Sequence, residues 1–176
     1  MSVLVKNIFR FILFILVQTF VLDKVMLHHY LKPSLYFLFI LWLPFSVPRF
    51  WLMIIAFLFG LSMDYFVGPQ GLHAGACVLL AFIRPFLLNL LLPQDTTERS
   101  YTEPSPTSLS WMPYCIYILV LTLIHHTYIT FFEWMQFGTA GFFLAKVGIA
   151  TVVSMVLIFV TELLFYRKPQ FKTNAA

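Results

Sequence analysis

The stretch "AGFFLAKVGIATVVSMVLIFVTELLFY", residues 140–166, carries only Lys146 and Glu162 as charged members. It exceeds the roughly 20 mostly apolar residues that a helix needs to cross a bilayer. In hydrocarbon every backbone amide and carbonyl must find its partner inside the protein, so a run of this kind predicts an α-helix. The rest of the chain repeats the pattern. Of its 176 residues, 61% are hydrophobic and only 10% are charged, and the mean hydropathy is +0.90. About a quarter of the residues of a soluble domain are charged, so water cannot be the main solvent here. The composition predicts an all-α integral membrane protein, with residues 1–176 forming a single polytopic domain.

About six transmembrane helices are expected, near 5–22, 34–48, 50–67, 72–92, 111–133 and 140–166. The second carries Pro44 and Pro48 within "SLYFLFILWLPFSVPRF", and its clean apolar run is short. A broken or re-entrant helix is the alternative there, acceptable only where protein or water covers the freed backbone groups. The first follows Lys6 and Arg10 but lacks small residues at a cleavage position, since Val21, Leu22 and Asp23 stand there. It is read as an uncleaved span.

Lysine and arginine set the orientation. With six crossings, one side holds Lys6, Arg10, Arg49, Arg99, Arg167, Lys168 and Lys172, and the other holds Lys24 and Lys32. The excess predicts cytoplasmic N- and C-termini. Residues 93–110, rich in Pro, Ser, Thr and Glu, read as a flexible cytoplasmic loop without a core. Residues 167–176 read as a basic tail at the inner leaflet.

Few residues point to chemistry. Cys77 and Cys115 lie far apart in apolar runs and read as buried small hydrophobes. The histidines come as His28–His29, His73 and His125–His126. Adjacent histidines on a helix point about 100° apart, so they suit packed polar contacts better than one metal. The basic residues form no stripe, which argues against nucleic acid. No serine-hydrolase elbow, phosphate-binding loop or acid–base pair is evident, so neither an enzyme nor a cofactor is expected.

The most informative stretch is "FGLSMDYFVGPQGLHAGACVLLAFIR", residues 59–84. Gly68-Pro69-Gln70-Gly71 predicts a tight turn between the third and fourth spans, with glycine supplying positive φ. Asp64 lies one helical turn before it, near the outer interface, where its carboxylate would accept amide hydrogens from the turn. Gly60 with Asp64, and Gly71 with Gly75, form a small-xxx-small face suited to close helix packing or to a partner protein.

Arg84 lies about 18 Å below the start of the fourth span, too deep to meet Asp64. The depths predict an inner pair of Arg84 with Glu162 and an outer cluster of Lys146 with Asp64 or Glu133, the alternative being that each charge snorkels alone to its nearer interface.

The arrangement G-L-x-x-D-x-x-x-G-x-x-G-L-x-A, running from Gly60 to Ala74, resembles the rod shape-determining MreD family. "QTFVLD" at Gln18–Asp23 and "LP" at Leu43–Pro44 resemble it as well. The resemblance implies a non-catalytic scaffold in a bacterial inner membrane, part of the cell-elongation machinery. Its implied partners are MreC directly, and MreB, RodA and the RodA transpeptidase through the complex. It also implies an architecture similar to the substrate-binding S-components of energy-coupling-factor vitamin transporters, and such a subunit is the alternative reading. An S-component needs a cavity lined by convergent polar groups, for which Gln18, Asp64, Glu133 and Lys146 are the outer candidates.

Overall fold

The computed structural model describes residues 3–24, 33–67, 71–92, 102–137 and 139–165. Helix α1 covers Val3–Leu16 and continues as a π-turn over Val17–Val21 and a 3₁₀ turn over Leu22–Lys24. A four-residue helix, α2, spans Leu38–Leu41. The α3 helix runs over Arg49–Val67 and α4 over Leu72–Leu91. A short α5, Pro106–Leu109, precedes the long helices α6, Trp111–Phe137, and α7, Ala140–Leu164.

Among the described residues, 5 helices are long and apolar enough to cross a membrane, and between 22% and 39% of each is buried inside the protein. Most of each helix therefore faces outward, and that outer face carries Leu4, Ile8, Phe9, Phe57, Phe82, Val152 and Leu163. The interior holds Asp64, Arg84, His125, Ser154 and Glu162 among its buried polar groups. An apolar exterior around a partly polar interior is the distribution a bilayer selects. The chain is a multi-pass membrane protein.

Two hairpins, α3 with α4 and α6 with α7, join through α4 and α6, and α1 closes the side against α2 and α3. Between the helices threads the segment expected as a second span. It is not a spanning helix, which corrects the sequence reading of about six regular helices to five. Pro44 has no amide hydrogen and disfavours helical geometry at Leu43, and Pro48 repeats the effect just before α3. Regular structure in this segment is confined to Leu38–Leu41.

The segment nevertheless runs from one end of the bundle to the other. The Tyr36 ring meets His73 of α4 and His125 of α6. Further along, Leu43 meets Arg84 of α4, and Trp42 meets Tyr114 of α6. From His73 to Arg84, and from His125 to Tyr114, the helices advance by about 16 Å. Phe45 then donates its amide to the Thr102 carbonyl at that far end. The polypeptide thus makes a sixth passage without a sixth long helix, and the N-terminus of α1 and the C-terminus of α7 lie at the same end.

Every residue from Leu35 to Leu43 is buried. A segment apolar on all sides belongs in the centre of a bundle. Lipid is as apolar as leucine, so this burial is stabilised by close packing more than by release from water. Phe11, Phe39 and Phe59 pack edge-on or tilted around it at 4.6–5.5 Å.

The stretch expected to be a coreless loop is folded over residues 102–110. Ser105 caps α5 by accepting from the Ser108 amide, the Ser108 hydroxyl returns to the Ser105 amide, and Leu109 is buried. Residues 93–101 and the basic tail at 167–176 lie outside the described residues.

Candidate functional site

The freed backbone groups of the broken segment are met by buried side chains from three helices. Gln18 stands in the π-turn of α1, where the extra residue turns its amide inward. Its Oε1 accepts from the Leu35 and Tyr36 amides, and its Nε2 donates to the Pro33 carbonyl and to Asp23. At the opposite end Tyr117 of α6 donates to the Leu41 carbonyl at 3.0 Å. Arg84 of α4 donates from Nε to the Tyr117 hydroxyl at 3.0 Å and from its terminal nitrogen to the Leu43 carbonyl. Each such bond removes an unsatisfied group that costs several kcal/mol in hydrocarbon.

Glu162 of α7 completes this end. It accepts from the Trp42 indole at 2.8 Å and from the Tyr114 hydroxyl. Trp42 lies in turn under Arg10, 5.3 Å from guanidinium to ring centre. The inner pair expected between Arg84 and Glu162 is therefore not formed as a direct contact. Arg84 bonds to Tyr117, Glu162 bonds to Tyr114, and the two tyrosine rings stand 6.2 Å apart. The correction has a geometric cause. Helical rise placed both charges at one depth but said nothing of the aromatic side chains between α4 and α7.

Close to the same end, Glu103 accepts from Lys6 and from Arg10, each at 2.9 Å. Burial by itself raises the Glu103 pKa, but the Arg10 and Lys6 charges and hydrogen bonds outweigh it and hold the carboxyl below its ordinary value.

At the other end stands Asp64. Its two oxygens accept the amides of Gly71, His73 and Ala74 at 2.8–3.0 Å, and Oδ1 also lies 2.8 Å from His73 Nδ1. The first amides of α4 have no carbonyl partner within the helix, and the positive end of its dipole favours an anion. A carboxylate from the preceding helix serves as the cap. Asp64 is only 2% exposed, so its charge is met by these protein groups and not by water.

Gly71 has φ of 95°, a left-handed conformation that suits glycine, and nothing lies within 4 Å of a Cβ added there. Its role is conformational, not the close approach expected of it. Close approach belongs to Gly60, where a Cβ would meet Ala74 Cα at 2.5 Å, and to Gly75, where a Cβ would strike the Tyr128 hydroxyl of α6. Gly68 lies outside the described residues. Lys146 meets Glu133 at 2.5 Å on the partly exposed rim of α6 and α7, away from Asp64.

Among the described residues no group of three or more His, Cys, Asp or Glu side chains is placed to hold a metal ion. His125 and His126 diverge as helical geometry requires: one meets Tyr36 at 2.6 Å and the other Ser154 of α7 at 2.8 Å. Cys77 is buried and Cys115 partly buried, both as free thiols. Sequence reading missed Tyr36, Trp42, Tyr114, Tyr117 and Glu103. Tyr114 and Tyr117, three residues apart on one face of a span, carried a usable signal, because a hydroxyl placed in lipid needs a partner.

No family profile, no curated protein and no solved structure matches the chain. Fold and site together define an all-α multi-pass membrane protein in which buried polar side chains close a broken crossing.

Proposed function

We propose that this protein is a non-catalytic membrane scaffold of the bacterial cell-elongation complex, similar to the MreD family, with MreC as its direct partner. MreB, RodA and the RodA transpeptidase are reached through that partner, and the membrane is the bacterial cytoplasmic one. The observation that supports the reading is the mutual pairing of the buried polar groups that surround the broken segment. Gln18, Arg84, Tyr114, Tyr117 and Glu162 spend their hydrogen-bonding groups on one another and on the broken segment, which suits a rigid docking body. The Asp64 hairpin, whose motif carries the resemblance, is likewise held by its own helix cap.

Co-purification from mild detergent tests this directly. MreC of the same cell is expected to remain bound, and depletion of the protein is expected to round a rod-shaped cell. Saturable binding of a vitamin by the purified protein, with no MreC retained, would instead support the S-component reading. Gly60→Leu and Gly75→Leu are expected to reduce MreC retention by opening the hairpin from its neighbours.

A further inference from the structure

The connection between α4 and α6 is longer than its ends require. The two helices pack side by side and run in opposite directions, with Gly75 against Tyr128 at one level and Arg84 against Tyr117 at another. Neighbours of that kind are usually joined by about 2–8 residues. Here residues 92–110 make the connection, and its described part, 102–110, is laid across to α1 and to the broken segment. Loops of such length that pack against the body of a protein usually have a task of their own.

Ser110 shows that this strap is held under strain. Its backbone has φ of 68° and ψ of 157°, and among the described residues it is the one with positive φ that is not glycine. That region belongs almost wholly to glycine, because a Cβ there crowds the neighbouring backbone. Two fixed elements impose it. Before Ser110, the Ser105–Ser108 cap and the buried Leu109 hold α5 in place. After it α6 begins, with the Ser110 carbonyl accepting from the Tyr114 amide. Ser110 itself is exposed, so packing of its own side chain is not the cause. Against the strain stand the two Glu103 ion pairs at 2.9 Å, the bond from the Phe45 amide to the Thr102 carbonyl at 3.0 Å, and Leu109, only 1% exposed.

We propose that residues 102–110 are a strained latch on the Thr102 end of the broken crossing, built to open while the long helices stay folded. Closed, Glu103 holds the Arg10 guanidinium over the Trp42 ring, and the Trp42 indole is held in turn on Glu162. Beyond Trp42, Pro44 and Pro48 have no amide to donate, and the Phe45 amide finds its partner on the strap. Open, Ser110 returns to negative φ, Glu103 leaves Lys6 and Arg10, and Phe45 loses the Thr102 carbonyl. The stretch from Trp42 to Val47 then loosens as a unit of low local stability. The opposite end of the crossing is untouched, because Leu35 and Tyr36 are bound to Gln18 and not to the strap. The latch acts within its own chain and does not depend on which protein the bundle docks.

The test is residue-resolved hydrogen exchange of the full chain in nanodiscs at neutral pH, read at the Phe45 amide, the Trp42 indole N–H, and the Leu35 and Tyr36 amides. Ser110→Gly removes the strain and is expected to slow exchange at Phe45 and at the Trp42 indole by about fivefold. Ser110→Ala keeps the Cβ and is expected to change neither. Glu103→Gln is expected to speed both by about tenfold. In all three variants Leu35 and Tyr36 are expected to exchange as in the parent. Equal rates in Ser110→Gly and Ser110→Ala overturn the proposal, since no strain is then stored. A change at Phe45 without one at Trp42, or an equal change at Leu35 and Tyr36, overturns it as well, because the strap then holds nothing or the crossing opens as a whole. If Glu103→Gln does not fold, the two Ser110 variants decide alone.

Discussion

Asp64 shows how one carboxylate is made tolerable in an apolar bundle. It is stabilised by three backbone amides and a histidine, so its removal strands the start of α4 inside the protein. Asp64→Ala is expected to destabilise the folded state by about 2–3 kcal/mol, and Asp64→Asn by about half as much because one acceptor oxygen remains. Unfolding by denaturant in mixed micelles measures both. The glycines give a matching comparison. Gly60→Ala forces a methyl against the Ala74 backbone, whereas Gly141 and Gly148 have nothing within 4 Å of an added Cβ. Gly60→Ala is expected to cost about 1–3 kcal/mol through overpacking, while alanine at the two open sites is neutral or slightly stabilising through helix propensity. Equal effects at the three positions would remove close packing as the reason for Gly60.

At the scale of elements, the broken crossing is held by separate anchors. Arg84 and Glu162 each have their own partners, so exchanging them does not rebuild a lost pair. Arg84→Glu and Glu162→Arg are each expected to destabilise, and the double exchange is expected to lose the sum of the two. Recovery in the double variant would restore the direct pair that depth alone suggested. The folded loop supplies a pH dependence. Glu103 has its folded-state pKa lowered, so its contribution is present above the unfolded carboxylate value and is lost as pH falls through the folded one. Acid is expected to release residues 102–110 from Lys6 and Arg10, and Glu103→Gln to flatten that dependence, as read by exchange of the Phe45 amide on Thr102. Much of the helical layout was legible because long apolar runs have one regular solution in lipid, and the bounds of α3, α4, α6 and α7 were close to those read from sequence. The second crossing was legible only as an anomaly. Its two prolines announced a break, but the partners of the freed groups, Gln18, Arg84 and Tyr117, come from distant spans that no local pattern connects. The same limit hid the tyrosines that stand between Arg84 and Glu162.

At the scale of the whole molecule, the broken crossing decides topology. Five long helices alone would leave the chain ends on opposite sides of the membrane. The passage of residues 33–48 from the Gln18 and His73 level to the Thr102 level restores an even number of crossings. The end that holds Lys6, Arg10 and Arg49 also holds the Glu103 loop and the C-terminus of α7, while Lys24 and Lys146 belong to the other. The positive-inside rule predicts that the first end is the cytoplasmic one. Single cysteines placed in a chain lacking Cys77 and Cys115 test this. Thr107 is exposed at the first end, and Tyr65, 83% exposed, lies near the second. In intact cells an impermeant thiol reagent is expected to label Tyr65→Cys and to spare Thr107→Cys until the membrane is opened. Reporters fused to the two chain ends are expected to share the side of Thr107. If the chain ends report opposite sides while Tyr65 and Thr107 still differ, the segment around α2 enters and leaves on one face, and the sixth passage is refuted. If Thr107 alone is labelled in intact cells, the passage stands but the whole bundle is inverted. The Glu103 cluster would then face the exterior, and the cytoplasmic chain ends expected from the lysine and arginine excess would be refuted.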